Sequence, residues 1–290
     1  MDPLLRFVSM PSRLLRETVT RDPGFIAVNI LRDTLSSAVT SGSDFVPIID
    51  SVKNMFGDIS QLERFGVISG YDFANDEGDV KNFLMKEFRK QGINTNNSMT
   101  SQNLLFKVWD GLGDLTTKSD GATRKAVYDD VYKKLKDAGR TEGEAQSEAA
   151  YQALEIINFG RRGNSVLWKV ITSGIPFLNA RVQGLDVLYR GFTGQYSAIE
   201  GTYKNMTQEE IKAEIQKKAL QRGIFLTFLT FVYYMLMSDE EEYKNLRREV
   251  RDDNWIIPTP FDYSVKIPIP FEVGMLFKAI PERFFDMTIG

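Results

Sequence analysis

The apolar residues of this chain recur at helical spacing along most of its length. Leu4 and Val8 belong to a short amphipathic opening segment. Asp22 and Pro23 then have the N-cap and first-turn chemistry of a helix that we expect to end near Val39. Since apolar residues three and four positions apart form one face of a helix, the pattern predicts an all-α fold.

The middle of the chain predicts a pair of charged helices over residues 122–138 and 142–159, with further short helices over 45–56 and 59–68. Gly139 is the expected stop, and Thr141 with Glu144 has the form of a capping box. Because the charged faces of the pair look solvated, we expect a peripheral hairpin at about 120–159.

Two short β-prone runs, 253–258 and 263–268, are bounded by prolines and predict one small hairpin within residues 253–270. Helical spacing then returns over 271–289. The predicted fold is a multi-helix bundle centred on the helices at 163–194 and 207–238. We expect an N-terminal region at 1–159 and a helical core at 160–290, within a longer polypeptide.

The longest apolar stretch without a charge is GIFLTFLTFVYYMLMS, at residues 223–238. As a helix it is roughly 24 Å long, and a bilayer core of about 30 Å requires about 20 residues. A buried core helix is the first interpretation of such a segment, and contact with a membrane is the second.

Residues 160–194 carry five cations and one carboxylate, interleaved with Trp, Tyr and Phe. This pattern is typical of an amphipathic helix pair with snorkelling cations, and also of surfaces that bind anionic lipid or nucleic acid. The residues predicted to contact a membrane or a partner are Arg161, Arg162, Trp168, Lys169, Arg181, Tyr189, Arg190, Phe225, Phe228, Phe231, Tyr233 and Tyr234.

Composition removes most of the usual catalytic chemistry. The 290 residues include no cysteine and no histidine, which excludes disulfides, thiolate nucleophiles and imidazole ligands. No nucleophile elbow or phosphate-binding loop occurs, and spacing selects no acid pair among the 39 carboxylates. We therefore predict no catalytic residue, no cofactor and no metal site. The net charge of −3 does not favour a general nucleic-acid surface.

Two groups of motifs carry a family resemblance. The opening holds MPSRL at 10–14, RDPGF at 21–25 and NILRDT at 29–34. The closing part holds WIIP at 255–258, KIPIPFEVG at 266–274 and PE at 281–282. Together they resemble the helical large polyvalent protein-associated domain of giant tailed-phage proteins, a class that includes internal virion proteins.

The resemblance implies a module that is packaged in the virion and delivered to the host envelope or inner membrane during DNA ejection. It implies other virion or ejection proteins as partners, and an anionic membrane and further copies of the chain are considered with them. DNA contact is left open. The alternatives are a non-catalytic scaffold domain of a giant phage virion enzyme, such as a virion RNA polymerase or a lytic transglycosylase fusion, and a cytosolic helical adaptor.

Overall fold

The computed structural model describes residues 3–68, 86, 90, 101–156, 165–175, 177–194, 206–259 and 263–289. The helices of these residues are α1 (Pro3–Thr20), α2 (Pro23–Thr40), α3 (Ile49–Met55), α4 (Ser60–Arg64), α5 (Ser101–Asp137), α6 (Glu142–Glu155), α7 (Val166–Gly174), α8 (Leu178–Thr193), α9 (Gln208–Met237), α10 (Glu241–Asn245) and α11 (Arg248–Asp253). The predicted all-α class is confirmed.

A two-stranded antiparallel hairpin follows α11, as predicted. Strand β1 (Asn254–Pro258) pairs with β2 (Ser264–Pro268). The chain then forms α12 (Phe271–Gly274), a π-helical turn (Met275–Ala279) and α13 (Ile280–Thr288) without a break. We call these three consecutive segments the C-terminal helix.

Local chemistry explains several helix boundaries. Asp22 caps α2 by accepting a hydrogen bond of 2.9 Å from the backbone N–H of Phe25. Reciprocal capping boxes begin α6 at Thr141 and α9 at Thr207. Gly139 ends the turn after α5 with a φ of 82°, a conformation that glycine adopts without strain.

The largest hydrophobic core lies between α5, α6 and the segment from Phe45 to Ile68. Its α6 contribution is a stripe of alanines in which Ala145, Ala149 and Ala153 are fully buried. The hairpin predicted at 120–159 therefore has an inner face that packs in this core. Small side chains carry little hydrophobic signal, but they allow two helices to pack closely, and here they form the inner face.

The expected bundle centre at 163–194 and 207–238 lies partly outside the described residues and stays a prediction. In that half the buried apolar residues form small separate clusters, such as Val187 with Ile211 and Ile215. The short helices α3 and α4 cover less of the chain than predicted, whereas α5 is a single helix of 37 residues. The predicted boundary at 159/160 falls among residues outside the described ranges and stays a prediction.

A carboxylate junction connects the two halves. Asp44 lies 2.7 Å from Lys134 of α5, 2.8 Å from Lys218 and 2.7 Å from Arg222, both of α9. Burial alone would raise the pKa of Asp44, but the hydrogen bonds and charges of Lys134 and Lys218 lower it to about 2. This junction orients one side of α9 toward the N-terminal half.

Candidate interface on the C-terminal helices

Helix α9 has one continuous buried face. It runs the whole length of the helix through Ile211, Ile215, Ala219, Gly223, Leu226, Thr230, Tyr234 and Met237. Opposite this face, the first half of the helix exposes polar residues such as Gln216 and Lys217. The first half is therefore an ordinary amphipathic helix.

The second half of α9 is apolar on its outer side as well. Eight large apolar side chains there are between 40% and 70% exposed: Leu220, Ile224, Phe225, Phe228, Leu229, Val232, Met235 and Leu236. We call this surface the outer face. Among the described residues, α9 is the one helix long and apolar enough to cross a membrane, and only 28% of its most apolar 18-residue window is buried.

The C-terminal helix extends this apolar surface. Its Ile280, Phe284 and Met287 are 53%, 62% and 82% exposed. Ring contacts join the two helices, because Phe231 of α9 meets Phe285 edge-on with 5.2 Å between centroids, and Phe285 in turn meets Phe284 at 6.2 Å. Contiguous exposed apolar surface of this kind is typical of an interaction site.

The C-terminal helix lies close against α9. A side chain at Gly223 would collide with the ring of Phe277, so glycine is required for this approach. The Thr230 hydroxyl donates to the Phe277 carbonyl at 2.9 Å, and the Tyr234 hydroxyl donates to Asp286 at 3.2 Å. The two helices therefore form one platform that carries the exposed surface.

Beneath the platform lies a buried ionic cluster. The side chain of Lys278, in the π-helical turn, is fully buried and lies 2.6 Å from Glu282. Lys278 also donates to the Arg251 carbonyl, and the Tyr243 hydroxyl donates to Glu282. Burial lowers the pKa of Lys278, and the Glu282 charge opposes that shift. Burial and the hydrogen bond to Glu282 raise the pKa of Tyr243.

Further ion pairs attach α11 to the C-terminal helix. Arg283 contacts Asp252 through a bidentate pair, and Arg251 lies 3.0 Å from Asp286. The Arg251 guanidinium also lies over the Tyr243 ring, 4.8 Å from its centroid. These contacts fix the position of the C-terminal helix and leave its apolar side facing outward.

The five residues of the apolar stretch that were predicted to contact a membrane or a partner have different environments in the structure. Phe225 and Phe228 point outward, and Phe231 lies at the junction with the C-terminal helix. Tyr233 instead turns inward, where its hydroxyl accepts a hydrogen bond of 2.8 Å from the backbone N–H of Ile256. Tyr234 is buried. Only the first three of these side chains can contribute to an outer apolar surface.

Within the described residues, the predicted cationic segment is divided between α7 and α8. Arg161 and Arg162 lie outside the described residues. Trp168 is half-buried and Lys169 exposed on α7, while Arg181 and Tyr189 are exposed on α8. Arg190 is buried, where it pairs with Glu155 and lies 2.9 Å from Asp186. Its role within the described structure is to join α8 to α6.

Sequence reasoning missed two features of this region. The exposed residues Ile280, Phe284 and Met287 follow one another at spacings of four and three, which a search for one-sided apolar periodicity would have found. The pairing of Lys278 with Glu282 has the i,i+4 spacing of a surface ion pair, so spacing alone could not show that it is buried. Within the described ranges, no group of three acidic residues could hold a metal ion.

Comparison with known proteins finds a family match for the C-terminal part of the chain. Residues 240–290 match the family model described as large polyvalent protein associated domain 38. The match covers α10, α11, the hairpin and the C-terminal helix, and so includes the buried ionic cluster. No curated protein and no solved structure matches the chain.

Proposed function

We propose that this chain is a structural module of a phage internal virion protein that takes part in genome ejection by attaching to the host envelope. The polyvalent-protein match at residues 240–290 supports the phage-like context. The motifs near both ends of the chain support the virion assignment. Other ejection proteins are its expected partners, and the virion and then the inner membrane are its expected locations.

The observation that carries the proposal is the exposed apolar surface of α9 and the C-terminal helix. Each large apolar side chain moved from water to an apolar environment stabilises the bound state by about 1.5–3 kcal/mol. Phe225, Phe228 and Leu236 together with Phe284 and Met287 are more than half exposed. A lipid surface would bury them without any change in fold.

The geometry favours a helix that lies in the membrane surface. One side of α9 is occupied by Thr230 and Tyr234, which bind the C-terminal helix. The apolar outer face can therefore enter the boundary between headgroups and acyl chains, which is about 5–10 Å deep, while the other side stays on the protein. This arrangement requires no charged group to enter the hydrocarbon core.

Liposome flotation of the full chain tests the proposal. We expect the chain to float with vesicles of phosphatidylglycerol and phosphatidylcholine. Phe228→Asp should reduce the bound fraction at least about tenfold, because a charge in the outer face must be dehydrated on binding. Gln216→Asp is the matched control, since it adds the same charge at an exposed polar position of the same helix.

Circular dichroism should show equal helix content for the chain and both variants, because Phe228 and Gln216 are exposed. Equal flotation of the chain and of Phe228→Asp would contradict the role of the outer face. A chain that does not float with any vesicle would contradict the envelope role and favour the scaffold domain of a giant virion enzyme.

A further inference from the structure

The outer face of α9 ends in opposite charges. Before it, residues 212–222 carry four cations and one carboxylate. After it, Asp239–Glu242 carry four carboxylates, and all four residues are exposed. Lys218 and Arg222 are held by Asp44, whereas the side chain of Lys217 is 61% exposed and lies 3.5 Å from Glu214, less than one turn earlier. Roughly 30 Å separates the two charged ends.

We propose that the outer face binds the same face of a second copy of this chain, with the two α9 helices antiparallel about a two-fold axis at Phe228. A two-fold interface must be self-complementary, so that a residue and its partner exchange places between the copies. With the axis at Phe228, Lys217 of one copy faces Asp239 of the other. Ile224 then faces Val232.

The spacing of the central residues suits helix-to-helix packing. Ile224, Phe228, Val232 and Met235 are exposed and lie within about 40° of Phe228 around α9, so they form one stripe. The same stripe reaches Lys217 and Gln221 on one side and Asp239 on the other. The apolar part of the stripe is therefore bounded by polar positions at both ends, which fixes the register.

The available area is adequate for a specific dimer. A large aromatic side chain offers about 150–250 Å², so a half-exposed one leaves about 100 Å² to be covered. Two of the eight side chains of the outer face are phenylalanines and six are aliphatic, and all are between 40% and 70% exposed. Their combined exposed area is several hundred Å², the order of magnitude that specific interfaces bury on each partner, about 800 Å².

Charge selects the antiparallel arrangement. Parallel helices would place Asp239–Glu242 against the same residues of the second copy, and like charges at such distances repel. Antiparallel helices place each acidic end against a basic end. The inference does not require the envelope role, because in water the outer face binds a second copy, whereas a vesicle would bury the same face of separated chains. Flotation and dimerisation can therefore fail separately.

Sedimentation velocity of the full chain in low salt tests the dimer. The 33.0 kDa chain should sediment at twice this mass at micromolar concentration. Lys217→Glu and Asp239→Lys should each raise the dissociation constant about tenfold, because each places like charges together at two symmetric positions. An equimolar mixture of the two variants should dimerise more tightly than either alone, and the double variant should recover.

Cross-linking reads out the register directly. Because the chain has no cysteine, single Cys variants react only at the introduced position. Phe228→Cys should form a disulfide-linked dimer, since disulfides require Cα atoms within about 7 Å. Val232→Cys should not link to itself but should link to Ile224→Cys in a mixture. Self-linking by Val232→Cys would overturn the antiparallel assignment, and a monomer at every concentration would overturn the dimer.

Discussion

Two regions of this molecule place apolar and charged residues in opposite ways. Around α5 and α6, apolar residues such as Val127, Leu135 and Ala149 are buried. In the platform of α9 and the C-terminal helix, the most buried side chains include Lys278 and Glu282. Many large apolar residues there, such as Phe228 and Phe284, face outward.

The comparison shows that different interactions hold the two regions in their folded positions. The first region gains stability from apolar area removed from water. The second is positioned by charged hydrogen bonds, and a buried ion pair specifies an arrangement more than it stabilises one. Its exposed apolar residues are available for contact with lipid or with another copy of the chain. The same helical class therefore accommodates a self-sufficient core and a surface built for contact.

Breaking the ionic cluster should give the largest effect on stability. Lys278→Met leaves Glu282 buried without its cation, and removing one partner of a buried pair costs about 3–5 kcal/mol. We expect the free energy of unfolding, measured by urea denaturation, to fall by about that amount. The helix content of the folded chain should stay the same.

The double variant Lys278→Met with Glu282→Gln is the control. It removes both charges and keeps an acceptor for the Tyr243 hydroxyl, so most of the lost stability should return. If the double variant is as unstable as Lys278→Met, the loss would arise from the way methionine packs at this position rather than from an unpaired charge. The contrast between the two regions would then weaken.

A matched pair of leucines tests the comparison next. Leu135→Ala removes a side chain that is 1% exposed and should lower the free energy of unfolding by about 3 kcal/mol. Leu236→Ala removes one that is 70% exposed and should change it by less than about 0.5 kcal/mol. Urea denaturation at low protein concentration, where the chain is monomeric, measures both.

Equal effects of the two leucine substitutions would show that the outer face is covered within the monomer. A larger effect of Leu236→Ala at high protein concentration alone would instead support its burial between two copies of the chain.

Local chemistry made the helix ends predictable from sequence. Three helices begin with a capping side chain that accepts hydrogen bonds from backbone N–H groups within three residues: Asp22, Thr141 and Thr207. The adjacent sequence is therefore enough to predict where these helices begin. The prolines that bound the hairpin also act locally. The hairpin and its position near the C-terminus were therefore predicted correctly, and so was the all-α class.

Long-range placement was not predictable in the same way. Ala149 and Ala153 give no strong hydrophobic signal, and only the close approach of α6 to α5 makes them core. Phe228 and Tyr234 belong to one uncharged stretch, yet Phe228 is exposed and Tyr234 is buried. Which side of α9 is covered depends on Asp44 and on the C-terminal helix, and both lie far away in the sequence.

The last expected effect concerns a partly buried carboxyl group on α2, which packs against α5 of the first region, and the comparison alone would not predict it. Burial and the nearby Asp120 carboxylate raise the pKa of Asp33 from 3.8 to about 7, although Arg124, Arg32 and a hydrogen bond from Asn29 oppose the shift. The folded state therefore binds a proton more tightly than the unfolded state. This carboxyl group makes folding less favourable as pH rises from about 4 to about 7.

Asp33→Asn should remove that pH dependence. The Asn side-chain oxygen can still accept the 3.1 Å hydrogen bond from Asn29, so the variant differs mainly in charge. A pKa raised this far corresponds to about 4 kcal/mol, and relaxation of the protein and water around the ionised carboxylate should reduce the difference to about 2 kcal/mol. At pH 8 the variant should be more stable than the parent chain by that smaller amount, and at pH 4 the two should be nearly equal. Thermal unfolding of the variant and the parent chain across this pH range measures the difference in stability. All other titrating groups are the same in both chains, so their contributions cancel. A stability difference that is constant with pH would mean that Asp33 titrates normally. Ionisation of this carboxyl group would then not destabilise the first region.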